Sequence, residues 1–395
     1  MTIPWLDWAS LMIRWLHLAA GIAWIGTSFY FIWLDQSLRA REGLAKGVLG
    51  ESWSVHGGGF YHMSKYAVVP EQMPPQLHWF KYEAYFTWLS GFALLVVTYY
   101  FSASSYLIDP GRADLAPITA IGASLAFLIG SWLIYEVLCR CPIGRSTPAL
   151  AVFVLVLIVA SAYLLTQIFS DRAAFLHVGA LIGTIMSANV FVVIIPNQKK
   201  VVADLIAGNT PDPTLGAQAK QRSLHNNYLT LPVLLLMMSA HYPMLYSGGA
   251  PWGWLVIAFI VLAGGVIRHF FNTHHGGGHG LALAWQWPLA VLLALGLIFF
   301  IAYRGPAVSS TAVSDTRALQ IVSTHCVGCH ATQPVNPAFS APPGGVVLDS
   351  LDAVKRYREQ VLAQAVTSQA MPLGNASGMT PAERGELRQW LVSHD

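Results

Sequence analysis

Near the C-terminal end of the chain, Cys326-Val327-Gly328-Cys329-His330 places two thiols three residues apart with a histidine directly behind the second. That CxxCH spacing is the one that attaches a c-type haem: the thiols of Cys326 and Cys329 form thioethers and His330 becomes the proximal iron ligand. A zinc knuckle would need two further ligands at suitable spacing, and the other cysteines, Cys139 and Cys141, lie far upstream. Met371, followed by Pro372, is the candidate for the second axial ligand, with Met379 as the alternative. A thioether ligand raises the haem potential, which suits a one-electron acceptor.

The other residues able to do chemistry lie in apolar surroundings. His17 and His177 sit in hydrophobic runs, and His78 and His225 precede two others. Ionisable groups there are costly and usually face a bundle interior or a wet cavity. These four histidines are candidates for holding a haem b inside a four-helix unit. The competing reading makes them hydrogen-bonded interhelical or interfacial histidines. Two stretches, 54–66 and 268–280, couple glycine triplets to histidines. They read equally as parts of a substrate site or as mobile loops.

Elements that could position these groups follow from composition. Of 395 residues, 55% are apolar and only 10% charged, far below the roughly 25% charged of soluble domains. The net charge of +3 gives no reason to expect a nucleic-acid partner; the expected surroundings are a lipid bilayer. Eight runs have the roughly 20 residues needed to cross it: about 8–34, 83–107, 115–138, 148–170, 173–196, 227–247, 251–271 and 281–303. The residues leading into the first carry Asp7 and no Lys or Arg, so it is expected to be retained rather than cleaved as a signal peptide. The connections after spans one, three, five and seven, with Arg268 counted there, hold twelve Lys and Arg; the opposite connections hold three. The positive-inside rule then puts both termini in the periplasm of a bacterial inner-membrane protein, where c-type haem is attached. "LHLAAGIAWIGTSFYF" from Leu16 and "LHVGALIGTIMSANVF" from Leu176 align without a gap, the pattern of two four-helix repeats.

Past residue 304 the composition changes. Residues 305–316 read as a linker and 317–395 as a soluble domain. Thr380-Pro381-Ala382-Glu383 is a capping box with proline at the first helical position, predicting a last helix from 381 to about 393 whose Leu387 and Trp390 pack on the first helix of the domain. The fold class expected is all-α: a polytopic eight-helix transmembrane bundle at 1–304 followed by a small domain that, with its CxxCH, its downstream Met-Pro and the aromatic in its last helix, resembles a class I cytochrome c.

The stretches "IRWLHLAAGIAWIGTSFYFIWLD", "ANVFVVIIPNQKK" and "HNNYLTLPVLLLMMSAHYP", followed by the CxxCH segment, resemble the membrane-bound urate hydroxylases of bacteria. The resemblance implies oxidation of urate to 5-hydroxyisourate, with water supplying the oxygen. It implies that electrons pass to haem c and on to a periplasmic or membrane respiratory acceptor, either a cytochrome oxidase or a soluble cytochrome c. Such a reaction needs a base and polar groups for a flat anionic purine; Arg268, His269, Asn226 and Asn227 are the candidates. The reading that competes is a membrane-anchored cytochrome c electron-transfer subunit oxidising another small molecule or a quinol.

Overall fold

A computed structural model describes residues 5–71, 73–246, 252–302 and 312–394. The chain is mostly helical (71%). Among the described residues, helices α1 (Trp5–Ser37), α4 (Pro117–Arg140), α5 (Thr147–Ile168) and α9 (Gly253–His275) are four of six long enough and apolar enough to cross a membrane. The fifth is the continuous run Asp171–Ile206, built from α6 (Asp171–Ala188), a π-helical segment (Asn189–Ile194) and α7 (Ile195–Ile206). The sixth, Leu281–Ala302, comprises α10 (Leu281–Ala284) and α11 (Gln286–Ala302).

The two remaining expected spans are helical but interrupted. The run 83–107 becomes α2 (Tyr82–Leu95), widens into a π-helical turn at Val96–Tyr100, breaks at Ser102 and resumes as α3 (Ala103–Tyr106). The run 227–247 begins inside α8 (Pro213–Met238), whose polar first half carries Lys220 and Arg222, and ends in short 3-10 turns reaching Leu245.

The all-α expectation is corrected at 48–66. Strands β1 (Val48–His56) and β2 (Gly59–Tyr66) pair antiparallel. Between His56 and Gly59 only Gly57 and Gly58 turn the chain, with φ of 59° and 78°. Two consecutive positive-φ residues suit the hairpin turn whose twist matches the strands, and glycine adopts them without steric cost. The glycines of this stretch thus make a turn. Buried Glu51 anchors the hairpin through Arg41, His62 (2.6 Å) and Trp53 (3.4 Å), and the Arg41 hydrogen bond leads in holding its carboxyl down at about 2.

The chain divides into two compact units: Met1–Ala93, Ile182–Val233 and Val261–Leu293 in one, Leu94–Leu181, Leu234–Ile260 and Ala294–Asp395 in the other. In the first, α1 meets α2 where Gly91 faces the His17 ring; a Cβ on Gly91 would lie 2.9 Å from His17 Cε1. Helices α8 and α9 approach through Pro232 and Gly264, where an added Cβ would come 2.7 Å from Pro232 Cδ. Small residues permit such contacts in membrane bundles, where packing and not water exclusion holds helices together.

The second unit carries the C-terminal helices α12 (Asp315–His325), α13 (Val327–His330), α14 (Leu351–Arg356), α15 (Arg358–Val361) and α16 (Pro381–Ser393). Ala318, Ile321 and Val322 of α12 share a core with Val354, Val361, Leu387 and Trp390. The expected capping box forms: Glu383 N–H donates to Thr380 Oγ1 (3.2 Å), and Thr380 N–H donates to Glu383 Oε2 (2.9 Å). Trp390 is fully buried and its Nε1–H donates to Asp315 Oδ1 (2.7 Å), so the last helix packs on the first as the pattern requires. The expected linker, 305–316, lies as far as residue 311 outside the described residues.

Candidate functional site

The close approach at Pro232 and Gly264 sets Asn227, a turn and a half before Pro232, beside Arg268 and Asn272, one and two turns beyond Gly264. Arg268 is buried, and its guanidinium donates to Asn227 Oδ1 (3.3 Å) and Asn272 Oδ1 (3.2 Å). It lies over the Phe29 ring at 4.2 Å, a geometry in which the ring's negative face attracts a cation. Asn272 Nδ2–H also donates to Asn227 Oδ1 (2.9 Å), and the buried Asn227 Nδ2–H has no acceptor among the described residues.

A cavity of about 400 Å³ opens here, lined by Phe29, Tyr30 and Trp33 of α1 and by Arg268, Phe271 and His275 of α9. Positions 268, 271 and 275 recur at the spacing of one helix face. Aromatic walls and one buried guanidinium make this a place for a flat, negatively charged molecule, and its volume falls in the range of small-ligand pockets.

The sequence-picked residues separate into roles. Arg268 lines the cavity and Asn227 holds it from behind. Asn226 points elsewhere: its amide donates to Met186 O (2.9 Å) and accepts from Asn189 Nδ2–H (2.9 Å), which ties α8 to the end of α6. His269 faces neither group. Its Nδ1 shares a hydrogen with Tyr228 OH (2.7 Å) and its ring packs 5.8 Å from Trp285. His275 belongs to the histidine-bearing stretch 268–280 singled out in the sequence, whereas Asn272 and the aromatic face of α1 were missed. The 3.6-residue repeat from Arg268 could have found Asn272.

The four membrane histidines also differ. His17, half-buried, bonds through Nδ1 to Thr87 O (3.0 Å) and Ser90 Oγ (3.2 Å), leaving Nε2 without a protein partner among the described residues. His177 is fully buried and uses both nitrogens, Nδ1 towards Ala173 O and Nε2 towards Ser124 Oγ, each at 2.7 Å. Tyr100 OH reaches the same Ser124 Oγ at 2.7 Å. His78 is exposed, its ring edge-on to Phe80 at 4.5 Å, and His225 is half-buried on α8. A haem-ligating histidine usually donates one N–H to a carbonyl and turns the other nitrogen to the metal. His17 fits that arrangement. His177 as arranged does not.

The C-terminal segment fits a c-type haem on its own observations. His330 Nδ1 bonds to Val346 O (2.9 Å), fixing the tautomer with Nε2 unprotonated for iron. Cys326 and Cys329 are free of disulfides, and burial pushes the Cys326 thiol up to about 11. Met379 is sealed in the core at 2% exposure, whereas Met371 packs, half-buried, at the core's edge. Arg384 holds the Met371 loop by donating to Met371 O (2.6 Å), to Ala365 O and to Asn375 Oδ1 (3.3 Å). Among the described residues no three His, Cys, Asp or Glu side chains converge as a metal-only site requires; a haem asks for only one or two axial ligands.

Helices of this length and apolarity are those of a multi-pass helical membrane protein. Residues 4–302 match the family described as Urate oxidase N-terminal, and the chain belongs to that family. Membership makes it an oxidoreductase of the urate oxidase kind. No curated relative and no solved structure matches the chain.

Proposed function

We propose that the chain oxidises urate to 5-hydroxyisourate and passes the electrons to a haem c carried by Cys326, Cys329, His330 and Met371. The observation that carries the reading is Arg268, buried, held by Asn227 and Asn272, and facing an aromatic-walled cavity. Urate is a planar anion. Its charged edge pairs with the guanidinium, and its ring stacks among Phe29, Trp33 and Phe271. His275, on the cavity wall, accepts the proton of the attacking water.

The reaction balances as urate and water giving 5-hydroxyisourate, two protons and two electrons. Bound at the CxxCH segment, the haem supplies one-electron acceptance; the protein supplies orientation and proton removal. Eight membrane crossings, with both termini and the haem in the periplasm of a bacterial inner membrane, complete the reading. They rest on the loop charges and on α2 and α8 serving as the two interrupted spans. The acceptor beyond haem c is a cytochrome oxidase or a soluble cytochrome c. A haem b, if carried, takes His17 as the ligand with a free nitrogen.

Isotopic labelling tests the chemistry. Turnover in ¹⁸O-water should place one labelled oxygen in each product molecule and release no hydrogen peroxide. Peroxide formed in step with urate loss would make dioxygen the acceptor and remove haem c from the reaction.

A further inference from the structure

Within the second unit, the loop after Met371 meets α3 and the residues that follow it. Gly374 (φ 61°) sits so close to this segment that a Cβ on it would lie 2.6 Å from Ser105 O and 3.3 Å from Ile108 O. Asn375 reaches the same segment, its Nδ2 3.7 Å from where a Cβ on Gly111 would stand. Asn375 and Met371 O are both held by Arg384, on whose guanidinium the carboxylates of Asp109 and Asp171 act. Those carboxylates also grip Arg112, at 3.3 and 2.6 Å.

The receiving segment is itself fixed to the base of α6. Ser170 donates from its N–H to Leu107 O (3.0 Å) and from its hydroxyl to Tyr106 O (2.9 Å), and Ile108 bridges to Phe169. Aromatic rings lead inward from it: Tyr106 to Tyr99 at 5.8 Å, Tyr99 to His177 at 6.0 Å, and Phe169 to His177 at 5.0 Å. So the backbone three residues past the candidate iron ligand rests on a segment joined by close-packed rings to the buried His177.

We propose that the Leu373–Asn375 turn, seated on Ala103–Gly111, is the docking contact through which electrons enter the C-terminal haem, with Gly374 the positioning residue that permits the approach. This rests on the haem c reading above. Each transfer moves one electron, oxidising the donor in the membrane part and reducing the ferric haem; two transfers complete one urate.

A matched pair of variants tests it. Gly374→Ala adds a methyl group where the backbone of Ser105 already stands. Gly378→Ala adds one at φ 66° with nothing within 4 Å, so it carries the same backbone strain without the contact. Hydrogen exchange of the 103–111 amides reads docking, and the ratio of urate-driven to ascorbate-driven haem reduction reads transfer. Gly374→Ala should expose those amides and lower the ratio about tenfold or more, as ångström displacements of reacting groups do, while Gly378→Ala leaves both as in the parent. Equal protection and equal ratios in the two variants would overturn the proposal. If urate fails to reduce the parent protein, the urate reading is lost, yet the exchange comparison still decides whether the turn docks.

Discussion

Replacing Arg268 by glutamine removes the guanidinium on the cavity wall while keeping a polar side chain of similar reach. The fold should survive, because Asn227 Oδ1 retains its bond from Asn272 Nδ2–H at 2.9 Å. What goes is the charge that urate would pair with, together with its stacking over Phe29 at 4.2 Å. Deleting one partner of a desolvated, hydrogen-bonded charge pair costs about 2–5 kcal/mol. The cavity opens at one side, so the lower part of that range applies, about 2–4 kcal/mol. At 1.36 kcal/mol per decade this is a loss of about 30- to 1,000-fold in kcat/KM for urate. Arg268→Lys, with charge but no planar fork, should fall between the two. The assay is steady-state loss of urate absorbance on purified protein, with haem content and thermal melting measured alongside. A folded, haem-replete Arg268→Gln protein that keeps kcat/KM to within about threefold of the parent would refute the placement of urate against Arg268.

Three further outcomes are expected. Met371→Ala should lower the haem potential and change the oxidised spectrum, whereas Met379→Ala should leave both and only destabilise the core, as redox titration would show. Trp390→Ala should cost about 3–5 kcal/mol, since the ring is fully buried and bonded to Asp315, and denaturant unfolding of the C-terminal helices should shift to a correspondingly lower midpoint. Glu383 has its carboxyl held below the ordinary value of 4.5, chiefly by the Thr380 N–H, then by the Thr380 hydroxyl and His325. A depressed pKa contributes stability that is complete above the unfolded value and lost as pH falls through the folded one. Melting between pH 6 and pH 3 should therefore show a decline that Glu383→Gln removes.

Local signals were legible in the sequence and distant pairings were not. The Thr380–Glu383 capping box and the Trp390 face depend on neighbours within a turn or two, and both stand as expected. Hydropathy found the long apolar helices because burial in lipid is a property of each segment alone. It could not see that α2 loosens into a π-turn at Val96–Tyr100, since that break is a matter of backbone register. The hairpin escaped because Gly57 and Gly58 were weighed as ligand contacts, although two glycines between short β-rich stretches are also a turn signal. Arg268 was recognisable as a costly buried charge. Phe29, which covers it, lies on α1 at the other end of the membrane region's sequence, and only the packing of helices brings the two together. Adjacent residues on a helix point about 100° apart, so Arg268 and His269 meet different neighbours. His269 turned to Tyr228, and His275 came to the cavity wall.

The central claim is that urate oxidation in the membrane part empties its electrons into the CxxCH haem. Mixing urate anaerobically with purified oxidised protein, and following the reduced c-type absorption band, tests it directly. The account predicts full reduction with half a mole of urate consumed per mole of haem. A haem that ascorbate reduces but urate leaves oxidised would contradict it.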